Sequence, residues 1–185
     1  MKFQFHISLN DNDYLAYNKF HMLRSPYGAK SIKTFRATLV ALFVLIAAVS
    51  LAGGGFTKDT LICIIPCGVL LLISQLLLTR LLALSLKGQI AKQKKTGKPG
   101  YAPSSVMEFY EDHFVEITDQ NKTEQSYAAI ERVSVVDGEM VYIHLNFVMA
   151  CLLPVSAFES EKQYNDFLNF LHTKCPAFDV YVPKK

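Results

Sequence analysis

The chain has 185 residues, 51% of them hydrophobic and only 19% charged, with a formal net charge of +3. So few charges exclude a disordered tail, and so mild a positive balance gives no ground for a nucleic-acid binder. Nine Gly and seven Pro exclude collagen-like and low-complexity classes, and four Cys make no disulfide scaffold. The apolar excess is unevenly spread, and the elements in chain order show where it goes.

Phe3, Phe5, Ile7 and Leu9 alternate with Gln4, His6, Ser8 and Asn10, the period of a half-buried strand. Asn10-Asp11-Asn12-Asp13 supplies a helix N-cap, Tyr14 to Leu23 reads as a short helix, and Ser25-Pro26-Tyr27-Gly28 ends it. A single strand cannot stand alone, so this one is expected to pair with the C-terminal sheet. The cytoplasmic unit is then discontinuous, with a membrane hairpin inserted into it.

Residues 37–57 and 60–79 contain no Asp, Glu, Lys, Arg or His and are bracketed by Arg36, Lys58, Asp59 and Arg80. Each run reaches the roughly 20 residues a helix needs to cross ~30 Å of hydrocarbon. Two buried core helices would need more surrounding mass than this chain offers. Ser50-Leu51-Ala52 resembles a signal-peptidase site, but 36 residues precede the first run and a second span follows it, so the run is read as retained. Lys2, Lys19, Arg24, Lys30, Lys33 and Arg36 precede the spans, and Arg80, Lys87, Lys92, Lys94, Lys95 and Lys98 follow. The positive-inside rule then puts both termini in the cytoplasm, with a short external turn near 53–59. In the membrane or in reducing cytosol, the cysteines are not expected to pair.

Ala37, Ala41, Ala48, Ala52 and Gly55 share one helical arc, and Thr60, Cys63, Cys67 and Ser74 share another. Small residues let membrane helices approach closely, so these two faces are expected to meet. Pro66 removes a backbone hydrogen bond from the second span and is expected to bend it. Gln75, the one strongly polar side chain deep in either run, is expected to bond between the helices. The spans hold no Asp, Glu, Lys, Arg or His, which argues against a proton relay or ion pathway.

The helix is expected to continue through Ile90 with a thinning apolar face and to break at the basic stretch that follows. Lys87, Lys92, Lys94, Lys95 and Lys98 are candidates for electrostatic contact with the membrane surface. An ordinary stop-transfer flank is the simpler reading of the same residues. Beyond Ser105 the pattern turns to short strands at Val106–Tyr110, Phe114–Thr118, Thr123–Tyr127, Ile130–Val136, Met140–Asn146 and Val148–Leu153. Asp137-Gly138 is the strongest hairpin signal among them. Ser160-x-x-Gln163 matches a capping box, and Tyr164, Phe167, Leu168 and Leu171 repeat at helical spacing. Lys174-Cys175-Pro176 closes that helix, and an extended tail is expected at 178–182.

The reading is thus an α+β membrane protein: a two-helix transmembrane hairpin plus a small cytoplasmic antiparallel β domain capped by a C-terminal helix. Its parts are a cytoplasmic strand and helix (1–36), a first span (37–57), an external turn (58–59) and a second span with a cytoplasmic extension (60–86). A basic juxtamembrane linker (87–104) and the β domain with its C-terminal helix (105–185) follow. Such an order of strands and helix is that of a pleckstrin-homology-like domain.

Particular residues carry a closer likeness. Asn10-x-x-Asp13-Tyr14-Leu15, Phe20-His21, two spans, Tyr127-Ala128-Ala129-Ile130-Glu131-Arg132-Val133 and Leu153-Pro154-x-x-x-Phe158 together resemble the YcxB-like family. The resemblance covers essentially the whole chain and implies a small bacterial membrane protein with a cytoplasmic PH-like domain, of a family largely uncharacterised. The family tends to carry Trp shortly before the isoleucine of the first β motif, where Ala128 stands here in a chain with no Trp. Basic residues common after the proline of the second motif are here Val155 and Ser156.

Catalytic chemistry is not visible. The five histidines are scattered, and no zinc-protease, paired C-x-x-C, phosphate-loop or nucleophile-elbow motif occurs. His172-x-x-Cys175, Cys63 with Cys67, and Glu111-Asp112-His113 are read as a helix end, a packing pair and a turn. No cofactor, metal or catalytic residue is expected. The expected function is non-enzymatic: a bacterial inner-membrane protein presenting a PH-like binding domain at the cytoplasmic surface. Partners expected are the lipid bilayer and a membrane or cytoplasmic protein, with homo-oligomers allowed and no nucleic acid. Lys122 and Arg132 are the only Lys or Arg between Ser105 and Val155, which favours a protein over a phosphorylated lipid. The alternative is a structural or accessory subunit that acts through its transmembrane hairpin.

Overall fold

The computed structural model describes residues 1–97, 100–136, 138–147, 149–175 and 177–182, with the backbone alone at Lys94. Its elements are β1 (Phe3–Ser8), α1 (Asp11–Leu23), α2 (Pro26–Gly54), α3 (Lys58–Lys95), β2 (Ser104–Phe109), β3 (His113–Thr118), β4 (Lys122–Ser126), β5 (Arg132–Val136), β6 (Met140–His144), β7 (Ala150–Pro154), α4 (Glu161–Lys174) and β8 (Phe178–Tyr181). They form two units, one of Met1–Tyr17 with Thr96–Lys185 and the other of Asn18–Lys95.

In the first unit the strands build two four-stranded sheets, ordered β1-β2-β3-β4 and β7-β6-β5-β8. β1 finds its partner in β2, antiparallel, with Phe3 opposite Phe109 and Ser8 opposite Ser104. Every neighbouring pair is antiparallel except β5 with β8, where Val133 lies beside Phe178 and Val136 beside Tyr181. Gly138 takes the left-handed conformation (φ 72°) in the β5–β6 turn, where the Glu139 N–H donates to the Val136 carbonyl at 3.0 Å. Asp137 of the expected hairpin signal and Val148 at the expected start of the last strand lie outside the described residues.

Period-two alternation turns Phe5, Ile7, Met107, Phe109 and Phe114 of the first sheet into a core shared with Val133, Val135, Val141, Ile143 and Leu153 of the second. α4 closes this core. The Ser160 hydroxyl caps it by accepting from the Gln163 N–H at 3.2 Å, and Gln163 Oε1 reaches back to the Glu159 N–H at 2.8 Å. That return bond falls one residue earlier than in the usual capping box. Phe167 and Leu171 are fully buried. The Phe167 ring lies 4.7–5.3 Å from those of Phe3, Phe5 and Phe109. Burying each such ring contributes about 1.5–3 kcal/mol. β6 is buried on both faces, because Tyr142 and His144 point away from this core toward Tyr17 of α1, whose ring is 5.2 Å from that of Tyr142.

The second unit is the helical pair. Here the expected boundaries need correction. Ser25-Pro26 separates two helices rather than ending structure: Ser25 is the N-cap of α2, its hydroxyl accepting from the Gly28 N–H at 3.1 Å, and Pro26 opens the helix. A Cβ on Gly28 would overlap the carbonyl oxygens of His21 and Met22, so only glycine permits this corner. The first long helix thus starts well before residue 37. The stretch given to a linker from residue 87 is helical through Lys95, since Gln, Ile, Ala and Lys from residue 89 onward are all helix-compatible. Gly97, with φ 68°, lies in the turn just beyond. α3 runs through Pro66 without interruption.

Candidate functional site

Both long helices expose their apolar side chains. α2 has 29 residues and α3 has 38, about 43 and 57 Å at 1.5 Å per residue, and each contains an apolar stretch with none of it buried. Each is long and apolar enough to cross a membrane. Gly55 to Thr57 join them: Gly55 (φ 62°) donates its N–H to the Leu51 carbonyl, and the Thr57 hydroxyl caps α3 at the Thr60 N–H.

The covered stripe of α2 is Ile32, Arg36, Leu39, Phe43, Ala47 and Ser50, and that of α3 is Thr60, Ile64, Gly68, Leu71, Ser74, Gln75 and Leu78. These stripes have the three- and four-residue spacing of one helical face. The tightest packing sets large on small. The Phe43 ring lies against Gly68, with Cζ 3.3 Å from where a Cβ would stand, and the Thr60 hydroxyl would meet a Cβ on Gly54 at 2.9 Å. This corrects the expected meeting of small faces. Ala37, Ala41, Ala48 and Ala52 are exposed on the opposite side of α2, and Cys63 and Cys67 are exposed on α3. Ala41 stands only two residues from Phe43, roughly 160° around the helix. Gly55 is a turn residue, so of the two arcs Thr60 and Ser74 are covered. The interhelical hydrogen bond also differs in kind. Arg36 Nη2 donates to the Gln75 backbone carbonyl at 3.2 Å, while Gln75 Nε2 and Arg36 Nε are buried without a partner among the described residues. Of the basic flank, Lys87, Lys92 and Lys95 are exposed on α3. Lys98 and the Lys94 side chain lie outside what is described.

The β unit has a different electrostatic character. Met1–Tyr17 with Thr96–Lys185 contain eight Lys and Arg against fifteen Asp and Glu, whereas Asn18–Lys95 contain eleven against the single carboxylate Asp59. Three of the β unit's cations are ion-paired. Arg132 is ion-paired with Asp179, holding β8 to β5, and Glu111 bridges Lys2 at 2.5 Å and Lys174 at 3.4 Å. Lys2 beside it holds the Glu111 carboxyl below its usual range. The charge split was present in the sequence as a count by region. It becomes meaningful only once strand pairing joins the first seventeen residues to the last ninety.

Elsewhere the residues with chemical potential are structurally occupied. Asp112 bonds His113 at 2.7 Å, which lowers the carboxyl pKa, and the His113 ring stacks on Tyr110. His172 packs against Phe178, while Cys175 is buried with its thiol toward the Ala177 and Ile130 carbonyls. Burial raises the pKa of Glu116 and pushes the neighbouring Cys151 thiol far up, 4.0 Å from the carboxylate. Burial raises the Tyr17 phenol to about 12. No group of three or more potential metal ligands occurs among the described residues. At the β6–β7 turn Phe147 and Met149 are half exposed, the largest apolar side chains at any strand-to-strand turn of this unit.

Neither the curated proteins nor the solved structures contain a match to the chain. Residues 109–171 match the family model described as YcxB-like protein. That segment runs from the end of β2 through β3–β7 into α4, and it contains both the Tyr127–Val133 and Leu153–Phe158 motifs. Over residues 109–171, about a third of its length, the chain is therefore similar to the YcxB-like family, in agreement with the resemblance its motifs carry.

Proposed function

We propose that this chain is a non-enzymatic, two-pass protein of a bacterial inner membrane, with both termini cytoplasmic, that presents a PH-like β unit to a protein partner. The carrying observation is the division of charge: the helical unit holds eleven cations against one carboxylate, and the β unit holds fifteen carboxylates against eight cations, of which Lys2, Arg132 and Lys174 are ion-paired. A unit carrying nearly twice as many carboxylates as cations is repelled by anionic lipid and attracts a basic protein segment. Support for the PH-like reading comes from four strands in one sheet, three further antiparallel strands in a second, and a core-seated helix after them. The exposed Phe147 and Met149 offer an apolar anchor beside the charge.

The test is recovery of the full chain in native nanodiscs from its source membrane, with crosslinking and mass spectrometry of what is retained. A stoichiometric protein crosslinked to the β unit supports the reading. Retention of lipid alone, or crosslinks confined to the spans, argues against it. Cysteine labelling from each side at position 2 and at Thr57 checks the orientation.

The exposed alanine side of α2 favours one second reading, an accessory subunit that packs its hairpin against another membrane helix. Ala48→Leu would then abolish complex formation while leaving the hairpin folded.

A further inference from the structure

At the end of the helical pair remote from its turn, a pocket of about 290 Å³ is lined by Leu23, Ala29, Ile32, Lys33, Arg36 and Thr79. Its α2 members fall at i, i+3, i+4 and i+7, one face of that helix. Leu23 closes it from the end of α1, and Thr79 faces it from α3. The volume corresponds to roughly ten water molecules at ~30 Å³ each, enough for a phosphate group with part of a glycerol ester.

Three observations give the pocket its chemistry. First, it holds two cations and no carboxylate. The one carboxylate of its unit, Asp59, is twenty residues from Thr79 along α3, about 30 Å and several Debye lengths away. Second, Arg36 is held in place: one guanidinium nitrogen donates to the Gln75 carbonyl, while the buried Nε has no partner among the described residues. A fork with one arm anchored and another donor unspent suits an oxyanion. Third, the position is that of the headgroup layer, since Arg36 and Arg80 bracket the apolar runs and Leu23, Ala29 and Ile32 supply an apolar wall for the ester region.

We infer that this pocket binds the phosphate of an anionic glycerophospholipid, with Lys33 and Arg36 as the charged donors and the Thr79 hydroxyl as a third. This rests on the reading of α2 and α3 as membrane spans. The lipid then acts as the counterion of an otherwise uncompensated basic helix end. Headgroup recognition therefore belongs to the hairpin, leaving the acidic β unit for a different ligand.

The test uses the full chain in phosphatidylcholine nanodiscs containing a minor fraction of phosphatidylglycerol, with native mass spectrometry of lipid retained on release. The wild-type chain is expected to retain phosphatidylglycerol in preference to phosphatidylcholine. Lys33→Gln with Arg36→Gln should reduce that preference about tenfold, the scale of one or two charge-assisted contacts. Lys58→Gln, which removes a charge at the other end of the hairpin, should leave it unchanged. Equal retention of both lipids by the wild type, or an equal loss with Lys58→Gln, overturns the site. Displacement of phosphatidylglycerol by inorganic phosphate reassigns the pocket to free phosphate and overturns the lipid. If the double variant loses helical circular dichroism, Lys33→Gln and Thr79→Val are read instead. The membrane reading fails separately, and the inference with it, if alkaline carbonate releases the chain from membranes without detergent.

Discussion

In the β unit the large apolar side chains turn away from solvent, whereas in the helical pair they turn toward it. Phe5, Phe109, Phe114 and Phe167 are 0–1% exposed, while Leu45, Leu72 and Leu76 of the long helices are 60–76% exposed. The same residue types therefore lie inside one unit and on the outside of the other. The first unit gains its stability by removing apolar surface from water, and the pattern that does so has a period of two. The second closes its backbone hydrogen bonds within each helix and exposes its apolar side chains along helices long and apolar enough to cross a membrane. Among the described residues its two helices meet along the narrow stripe from Ile32 to Ser50 on α2 against residues from Thr60 onward on α3.

Truncating an apolar side chain should thus be costly in one unit and nearly silent in the other. Phe167→Ala removes the ring that touches Phe3, Phe5 and Phe109, and should destabilise the β unit by about 3–5 kcal/mol. Leu76→Ala, at 76% exposure on α3, should leave the thermal transition of either unit unchanged. Comparable losses from both substitutions would mean that Leu76 is covered by a further protein surface.

Within the helical pair, the comparison becomes one between faces. Gly68→Leu places a side chain where the Phe43 ring already sits and should cost about 1–3 kcal/mol by overpacking, read as loss of helix–helix contact in a distance measurement between labelled helices. Ala48→Leu lies on the exposed side and should leave that distance intact. The reverse ranking would restore the small-residue arc as the contact face.

These faces also mark the limit of what could be read from the chain alone. The two long apolar helices, most strands of the β unit, the capping box and the need of residues 3–9 for a partner all follow from local runs and periodicity, which depend on neighbours within a few turns. Which side of α2 meets α3 does not. Both sides are apolar, and the choice falls to shape, with the Phe43 ring fitting against Gly68. The α1–α2 corner is not legible in the sequence, because Ser25-Pro26 serves equally as a stop and a start signal, and Gly28 decides between them by its close approach to carbonyls six and seven residues earlier. Arg36 with Gln75 was hidden for a related reason. The bond uses the backbone of Gln75, which no side-chain reading distinguishes from any other position.

A smaller effect is expected where the β unit's helix begins. Ser160→Ala removes the hydroxyl that accepts from the Gln163 N–H and should destabilise the β unit by about 1 kcal/mol in chemical unfolding, without altering the helical pair. Transmission of that loss to the hairpin's unfolding would show that the two units melt as one.

The smallest expected effect carries a sign. Glu116 lies on the inner side of β3, in register with Met107 of β2, and burial raises its pKa above the ordinary 4.5. The folded chain therefore holds this proton more tightly than the unfolded chain. The stabilising difference is fully present below the unfolded pKa and is lost as pH rises through the raised folded value. Above the raised value the β unit carries a desolvated carboxylate near the Cys151 thiol, whose own ionisation burial suppresses. Glu116→Gln keeps the shape and removes the titration. Its thermal midpoint, followed by tyrosine fluorescence in a chain without Trp, should exceed that of the wild type at neutral pH and converge with it in acid. Parallel pH profiles for the two proteins would mean that water reaches Glu116 and that the inner side of β3 is solvated there. The contrast between a dry β core and an outward-facing hairpin would then stop short of that edge.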